Sequence, residues 1–173
     1  RLLRIMGYSV YDTDSEAKRL MESSLEVVQK LSECFGRDIY HNGRLNRGLL
    51  SSRVFGESDK IVLLNSIVHP VVRFDFYRWS ESLNEEICFV ESAILYESRF
   101  DELVDEVWTV TAPEELRIGR VRQRSGLTEE EIKKRMAAQL SEEEKQRRAA
   151  HIIWNDGNVS VIHRVLSLLK SLE

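Results

Sequence analysis

The chain has 173 residues, of which 42% are hydrophobic and 31% charged, and its net charge is −4. This length predicts one compact domain with a sizeable core, and this composition excludes a disordered chain. Apolar runs are too short for a membrane span, no signal peptide is visible, and the negative charge gives no general attraction to nucleic acid or membrane. Cys34 and Cys88 lack the spacing of metal ligands or of a disulfide framework, so we expect reduced thiols in a cytoplasmic protein.

The first seven residues have the pattern of the last turns of an amphipathic helix, closed by Gly7. They contain neither an initiator methionine nor a helix start. We therefore expect that the sequence opens within a helix and that a preceding segment is missing from it.

A strand is predicted next, followed by a helix. Residues 8–11 are mostly β-branched or aromatic, and the apolar spacing after them predicts a helix over 15–35 that ends at Gly36. Asp12 and Asp14 lie at the junction, at the carboxyl edge of the strand, where open α/β sheets bind ligands. Their spacing of two lets both side chains point the same way if the segment is extended.

Two interpretations of this junction stay open. Either carboxylate could do chemistry, or Asp14, or Thr13 with Glu16 three residues later, could be the helix N-cap. N-caps of this kind are far commoner than catalytic carboxylates.

Residues 36–47 have a loop-like composition, and a helical pattern with breaks at 56–59 and before Pro70 extends from Arg47 to about Leu83. We expect His69-Pro70 to begin a helix, since proline suits the first turn and restricts the residue before it. The stretch contains no strand pattern, which predicts a helical insertion between two strands of the main sheet.

Three later segments have strand patterns: residues 87–90, 104–110 and 152–154. The first ends in Glu91-Ser92, which places another carboxylate at the carboxyl edge of a strand. Residues 111–114 predict a helix start with capping-box spacing and with Pro113 in the first turn, and residues 159–172 predict a closing helix. Strands that alternate with helices indicate an α/β fold with a mainly parallel sheet.

Residues 117–148 are the most charged part of the chain, and their basic side chains are mainly arginines. Arg117, Arg120 and Arg124 share a helix face, and residues 128–131 and 141–144 have capping-box spacing. The segment could be a solvated helical hairpin held by ion pairs. It could equally be a mobile lid whose guanidinium groups close over phosphates, and the excess of arginine over lysine favours this second interpretation.

In this order the segments resemble dephospho-CoA kinase, over nearly the whole chain. The resemblance rests on residues 10–14, 45–47 with 54–55, 68–70, 91–97, 112–115, the lid residues Arg120, Arg124, Arg135 and Gln139, and residues 155–157. It implies a three-layer P-loop NTPase-type α/β fold with a parallel sheet, a helical acceptor-binding insertion and a helical lid. The implied core comprises residues 1–35, 84–116 and 150–173, the insertion residues 36–83, and the lid residues 117–149.

The resemblance also implies a function: phosphorylation of the ribose 3′-hydroxyl of dephospho-CoA by ATP with Mg²⁺, in a monomer that binds neither nucleic acid nor membrane. The implied catalytic residues are Asp14, as acceptor of the hydroxyl proton, and Arg120, on the transferring phosphoryl group. Substrate contacts are implied for Asp12, Arg47, His69, Glu91, Arg124 and Arg135, and nucleotide contacts for Asn155, Asp156 and Gly157, with no metal ligand assigned.

Plainer roles remain open for several of these residues. His69 could be a residue at a helix start satisfied by the backbone, and Glu91 and Glu97 could either order Mg²⁺-bound water or cap helices. Asn155 and Asp156 could simply form the turn that such residues favour.

One departure from the family pattern is large: the sequence contains no Gly-x-x-x-x-Gly-Lys. That loop supplies the backbone amides and the lysine that hold phosphates, so we expect the chain as printed to be inactive. Two other functions stay open. One is a related small-molecule kinase with another acceptor, and the other is a nucleotide- or CoA-binding scaffold that lacks the loop.

Overall fold

The computed structural model describes residues 1–172, which divide after Ala93 into two compact units. The helices of the first unit are α1 (Leu2–Ile5), α2 (Thr13–Ser23), α3 (Leu25–Phe35), α4 (Arg47–Val54) and α5 (Ser58–Ser82). Its strands are β1 (Val10–Asp12), β2 (Tyr40–His41), β3 (Arg44–Leu45) and β4 (Phe89–Glu91), and a 3-10 turn spans Arg37–Ile39.

Two parallel strands carry the first unit. β1 pairs with β4 so that Asp12 lies opposite Glu91, which brings the carboxyl ends of both strands side by side. The Thr13 hydroxyl, at the start of α2, donates to the Glu91 carbonyl at 3.0 Å and ties the helix start to the neighbouring strand. The chain therefore places a helix N-terminus and two strand ends at one edge.

The core of the first unit forms where helices cover these strands. α3 buries Val27, Leu31 and Phe35, spaced four residues apart along one face. Tyr11 of β1 is 3% exposed, and its ring meets Phe76 of α5 with centroids 5.3 Å apart. Each such buried side chain contributes roughly 1.5–3 kcal/mol relative to an exposed one, so α3 and α5 hold the strand ends in place.

The second unit is built in the same way around two parallel strands, β5 (Trp108–Thr111) and β6 (His151–Trp154), paired over their whole length. Its helices are α6 (Glu114–Ser125), α7 (Glu129–Ala137), α8 (Glu142–Arg148) and α9 (Val161–Leu169), with a 3-10 turn at Phe100–Leu103. α9 buries Val165, Leu168 and Leu169, as expected from the apolar face of the closing helix.

The α/β class and the parallel strand pairing are confirmed, but four local predictions are wrong. The helix predicted over 15–35 is two helices, because Ser24 is extended (φ −84°, ψ 114°) and its side chain accepts from the Val27 amide as the N-cap of α3. Pro70 lies inside α5 and does not begin it. A proline there removes a helical hydrogen bond, and the buried apolar face of α5 outweighs that loss.

The loop predicted over residues 36–47 contains a β-hairpin. β2 and β3 pair in antiparallel fashion across Asn42 and Gly43, both of which have positive φ angles (49° and 74°). An Asn-Gly pair is a strong signal for this tight turn, so the sequence carried the information.

The predicted start of α6 is also different. Thr111 is the last residue of β5 and donates to Glu142 at 3.0 Å, so it caps no helix, and Pro113 is the N-cap without a side-chain bond. The capping box predicted at Thr128 and Glu131 is confirmed. None of the helices within residues 1–172 combines the length and apolar character that crossing a bilayer requires.

Candidate active site

A pocket of about 160 Å³ opens at the carboxyl ends of β1 and β4. Asp12, Asp14, Glu91, Ser92 and Ala93 line it, so three carboxylates converge on a small volume. Two of them come from β1 and the start of α2, and the third is brought beside them by the strand register. The site expected at the strand ends is present as a geometric feature.

Asp12 is the N-cap of α2, which corrects the caps predicted at Asp14 or Thr13. Its Oδ1 accepts from the Ser15 amide at 3.1 Å. This backbone hydrogen bond, helped by the charge of Arg4, lowers the pKa of the Asp12 carboxyl below its usual value. Asp12 therefore stays ionised, and one of its two oxygens already has a structural partner.

Asp14 lies in the first turn of α2, where the exposed amides of the helix N-terminus favour a negative charge. Its side chain is exposed and lines the pocket. Because Asp12 takes the capping role, the Asp14 carboxylate is not needed for the helix start. Asp14 and Glu91 are the two exposed carboxylates of the pocket.

The two substrate residues predicted in the insertion do not line this pocket. Arg47, the first residue of α4, forms an ion pair with Glu22 of α2 at 3.3 Å. His69 is half-buried in the middle of α5, and burial, helped by the nearby charge of Arg73, lowers its pKa. The imidazole is therefore uncharged at neutral pH.

In the second unit, two predicted residues that are far apart in sequence meet. The Arg120 guanidinium donates through Nη1 to the Asn155 carbonyl at 2.7 Å. Asp156 accepts from the Asn158 amide at 2.9 Å, which lowers the pKa of its carboxyl, and Gly157 has a φ of 93°. Asn155 to Gly157 thus form a turn just after β6, as the plainer of their two predicted roles requires.

The remaining lid arginines have different surroundings. Arg124 and Arg135 are exposed in the last turns of α6 and α7, where a positive charge suits the helix dipole. Arg117 instead bonds the Ala112 carbonyl at 3.0 Å and pairs with Glu142 at 3.2 Å. Arg117 therefore anchors the base of α6 to α8.

Sequence reasoning missed how the segment predicted as a lid, residues 117–149, is attached. The Glu97 carboxylate accepts from the Leu140 amide at 2.6 Å, between α7 and α8. The Arg148 guanidinium lies over the Tyr96 ring at 5.3 Å from its centroid. Two consecutive residues after β4 thus hold both ends of α8. These partners are about 40 to 50 residues away, so no local pattern could have indicated them.

The acidic pocket is compatible with Mg²⁺, although among residues 1–172 no group of three or more His, Cys, Asp or Glu side chains could hold a metal ion. Mg²⁺ is usually bound by one or two carboxylates together with waters and substrate phosphates. The carboxylates of the pocket fit an ion that arrives with a nucleotide.

Each unit is built on two parallel strands with helices around them, the first with an acidic pocket at its strand ends and the second with an arginine-rich helical segment, and these features are consistent with a P-loop kinase-like fold. A family model for dephospho-CoA kinase matches residues 1–160. The chain is 35% identical to the dephospho-CoA kinase of Porphyromonas gingivalis, over 99% of this chain and 86% of that protein. It is 37% identical to that of Bacteroides fragilis, over 99% and 84%. The chain belongs to the dephospho-CoA kinase family.

Two solved structures share the fold of this chain. TT1252 from Thermus thermophilus superimposes with a TM-score of 0.84 at 34% identity, covering 98% of this chain and 87% of that one. Dephospho-CoA kinase from Campylobacter jejuni superimposes with a TM-score of 0.71 over 99% and 90% of the two chains. At 22% identity the second likeness concerns the fold alone.

Proposed function

We propose that this protein transfers the γ-phosphoryl group of ATP to the ribose 3′-hydroxyl of dephospho-CoA, which completes coenzyme A. Family membership gives the reaction class. The observation that carries the proposal to this chain is the pocket at the ends of β1 and β4, where Asp14 is exposed beside Asp12 and Glu91.

The charge of this pocket favours a hydroxyl acceptor. A ribose hydroxyl is a poor nucleophile until a nearby carboxylate takes its proton, and it brings no charge of its own. The pocket therefore offers a proton acceptor to a hydroxyl substrate.

Within this pocket, Asp14 accepts the proton of the 3′-hydroxyl as the oxygen attacks phosphorus. Asp12, kept ionised by the Ser15 amide, supports the same edge of the site. Asp12 and Glu91 would hold water ligands of a Mg²⁺ ion that comes with the ATP phosphates, and the ion would supply charge neutralisation there.

The other roles follow the division of the chain into core (1–35, 84–116 and 150–173), acceptor insertion (36–83) and lid (117–149). Arg47 and His69 hold the acceptor. The lid arginines, Arg120, Arg124 and Arg135, neutralise the phosphates and exclude water when the lid closes. Asn155, Asp156 and Gly157 flank the adenine of ATP.

We further propose a cytoplasmic monomer whose ligands are ATP and dephospho-CoA. The cysteine spacing fits a reducing compartment, and the net charge of −4 does not favour binding to nucleic acid or to an anionic membrane.

The test compares wild type with Asp14→Asn in the full-length gene product, by following ATP-dependent conversion of dephospho-CoA to coenzyme A. Loss of the base lowers kcat by about 10²–10⁴-fold, whereas Glu26→Gln, which removes a first-turn carboxylate on α3 outside the pocket, leaves kcat unchanged.

Adenosine and nucleoside monophosphates serve as competing acceptors. Preferred transfer to one of them would indicate a related kinase. Binding of CoA compounds without transfer would indicate a scaffold.

A further inference from the structure

A polar network joins β1 and α2 to the long helix α5. The Tyr11 hydroxyl donates to Asp75 Oδ2 at 2.7 Å, and the Arg19 guanidinium donates through Nη2 to the same oxygen at 2.7 Å. Arg19 also binds Glu16 through Nε at 2.5 Å. The Asp75 carboxylate of α5 is thus bound by Tyr11 from β1 and by Arg19 from α2.

The strand partner of this network is buried. Tyr11 is 3% exposed, and its ring packs against Phe76 and Trp79, with centroid distances of 5.3 Å to each. Burial foremost, and then the hydrogen bond to Asp75, raise the pKa of the Tyr11 hydroxyl, so it remains a proton donor throughout the physiological range. The Asp75 side chain is 29% exposed and stays available to Arg19.

The network is close in sequence to both parts of the proposed acceptor site. Tyr11 directly precedes Asp12 and stands three residues before Asp14. Asp75 lies six residues after His69 on the same helix. Any rotation or sliding of α5 against β1 would therefore change the distance between the proposed base and the residue proposed to hold the acceptor.

Apolar packing alone specifies this distance poorly. The hydrophobic contact of Tyr11, Phe76 and Trp79 is non-directional, and it tolerates small shifts of one element against another. Hydrogen bonds to a single carboxylate oxygen are directional and allow only a narrow range of positions. The hydrogen bonds of the network therefore fix the position of α5 along the strand end more narrowly than the apolar packing does.

We propose that Asp75 is a positioning residue for phosphoryl transfer, which through Tyr11 and Arg19 sets α5 at the spacing from Asp14 that aligns the acceptor hydroxyl. The inference rests on the proposed function, because it concerns the same acceptor site. A role in stability alone would change the melting temperature without changing the constants for the acceptor. The exposed Arg19–Asp75 ion pair contributes little to folding, and the hydrogen bond of the buried Tyr11 hydroxyl contributes more.

The experiment measures steady-state constants of the full-length gene product for wild type, Asp75→Asn and Tyr11→Phe. Both variants keep the shape of the side chain and remove the charge or the hydroxyl. We expect kcat/KM for dephospho-CoA to fall about 10-fold or more, because small misplacements of a reacting group have effects of this size. KM for ATP and the slow hydrolysis of ATP without acceptor stay unchanged, because neither uses the acceptor geometry.

Three further measurements separate positioning from folding. Arg19→Lys keeps the charge but loses the planar fork, so its effect is smaller than that of Asp75→Asn. The double variant Tyr11→Phe with Asp75→Asn loses less than the sum of the two single changes, because both act on the same link. Glu26→Gln, which breaks the exposed Glu26–Lys30 pair on α3, leaves every constant unchanged.

The proposal is overturned if Asp75→Asn lowers the melting temperature but leaves kcat/KM for dephospho-CoA at the wild-type value. It is also overturned if the ATP constants change in parallel, because the effect would then be global. Wild-type protein that fails to phosphorylate dephospho-CoA would instead refute the proposed function, and the inference with it. The wild-type assay thus distinguishes the two failures.

Discussion

Asp12 and Asp14 are two residues apart but have different surroundings. One oxygen of Asp12 accepts from the Ser15 amide and so joins strand to helix, whereas Asp14 lines the pocket from an exposed position in the first helical turn. Because the two carboxylates have different partners, one motif can serve both folding and chemistry. One carboxylate caps the helix, and the other is left for the ligand.

His69 makes the stability of the first unit depend on pH. Burial lowers its pKa in the folded protein below the usual 6.5. As pH falls below about 6.5, His69 takes up a proton in the unfolded chain but not in the folded one. The contribution of His69 to the free energy of unfolding, fully present above that pH, is therefore lost as pH falls towards the folded pKa.

We therefore expect the unfolding free energy of wild type, from urea denaturation, to decrease between pH 7.5 and pH 5.5 by more than that of His69→Gln. His163→Gln, at an exposed position of α9, serves as the control and should behave like wild type. An identical pH dependence in wild type and His69→Gln would contradict the prediction.

At the level of elements, the end of α3 shows how one residue joins helix to hairpin. Gly36 has a φ of 92°, and a Cβ built there would lie 2.6 Å from Arg53 Nη1 and 2.8 Å from Asp38 Oδ1. Arg53 bonds both the Phe35 carbonyl and the Asp38 carboxylate, so the space beside Gly36 is occupied by an ion pair that closes the helix end.

Gly36→Ala should lower the unfolding free energy by about 1–3 kcal/mol, the range for a non-glycine residue held at positive φ. Gly119→Ala is the matched control: Gly119 lies inside α6 with open space at its Cβ position, so alanine there is neutral or stabilising. The melting temperatures of the two variants and of wild type, measured by thermal unfolding, test this prediction. Equal melting temperatures for Gly36→Ala and wild type would refute this account.

Elements were predictable where a short-range signal determines them. The capping box at Thr128 and the β-strands before Glu91 and Asn155 agree with the structure, because their signals lie within a few residues. The break at Ser24 and the unbroken helix through Pro70 were not predicted, since both depend on which faces are buried in three dimensions.

The site was predictable to the same extent. Asp12, Asp14 and Glu91 converge because the carboxyl ends of parallel strands meet, and this rule can be applied to a sequence. The bond from Arg120 to Asn155 spans 35 residues and depends on the packing of α6 beside β6, which no spacing indicates. The functional roles of all these side chains remain predictions.

For the molecule as a whole, the main prediction concerns the 173-residue chain, which contains no Gly-x-x-x-x-Gly-Lys. We expect it to bind dephospho-CoA, because the pocket and insertion are present, but to show no turnover, because phosphoryl transfer in P-loop enzymes relies on that loop to hold the phosphates. The measurement follows conversion of dephospho-CoA to coenzyme A by this chain, with circular dichroism to show that it is folded. Turnover would contradict the prediction.

The turn to which Arg120 bonds has a tryptophan next to it, and this tryptophan can serve as an optical reporter. Trp154, the last residue of β6, is 46% exposed and directly precedes Asn155, and the only other tryptophans in the sequence are Trp79 and Trp108. Replacing both by phenylalanine leaves a single indole beside the turn proposed to meet the adenine. A non-hydrolysable ATP analogue should then change the wavelength and intensity of its fluorescence, and a titration followed at this one chromophore would report nucleotide occupancy directly. Constant emission at saturating nucleotide would place the base elsewhere.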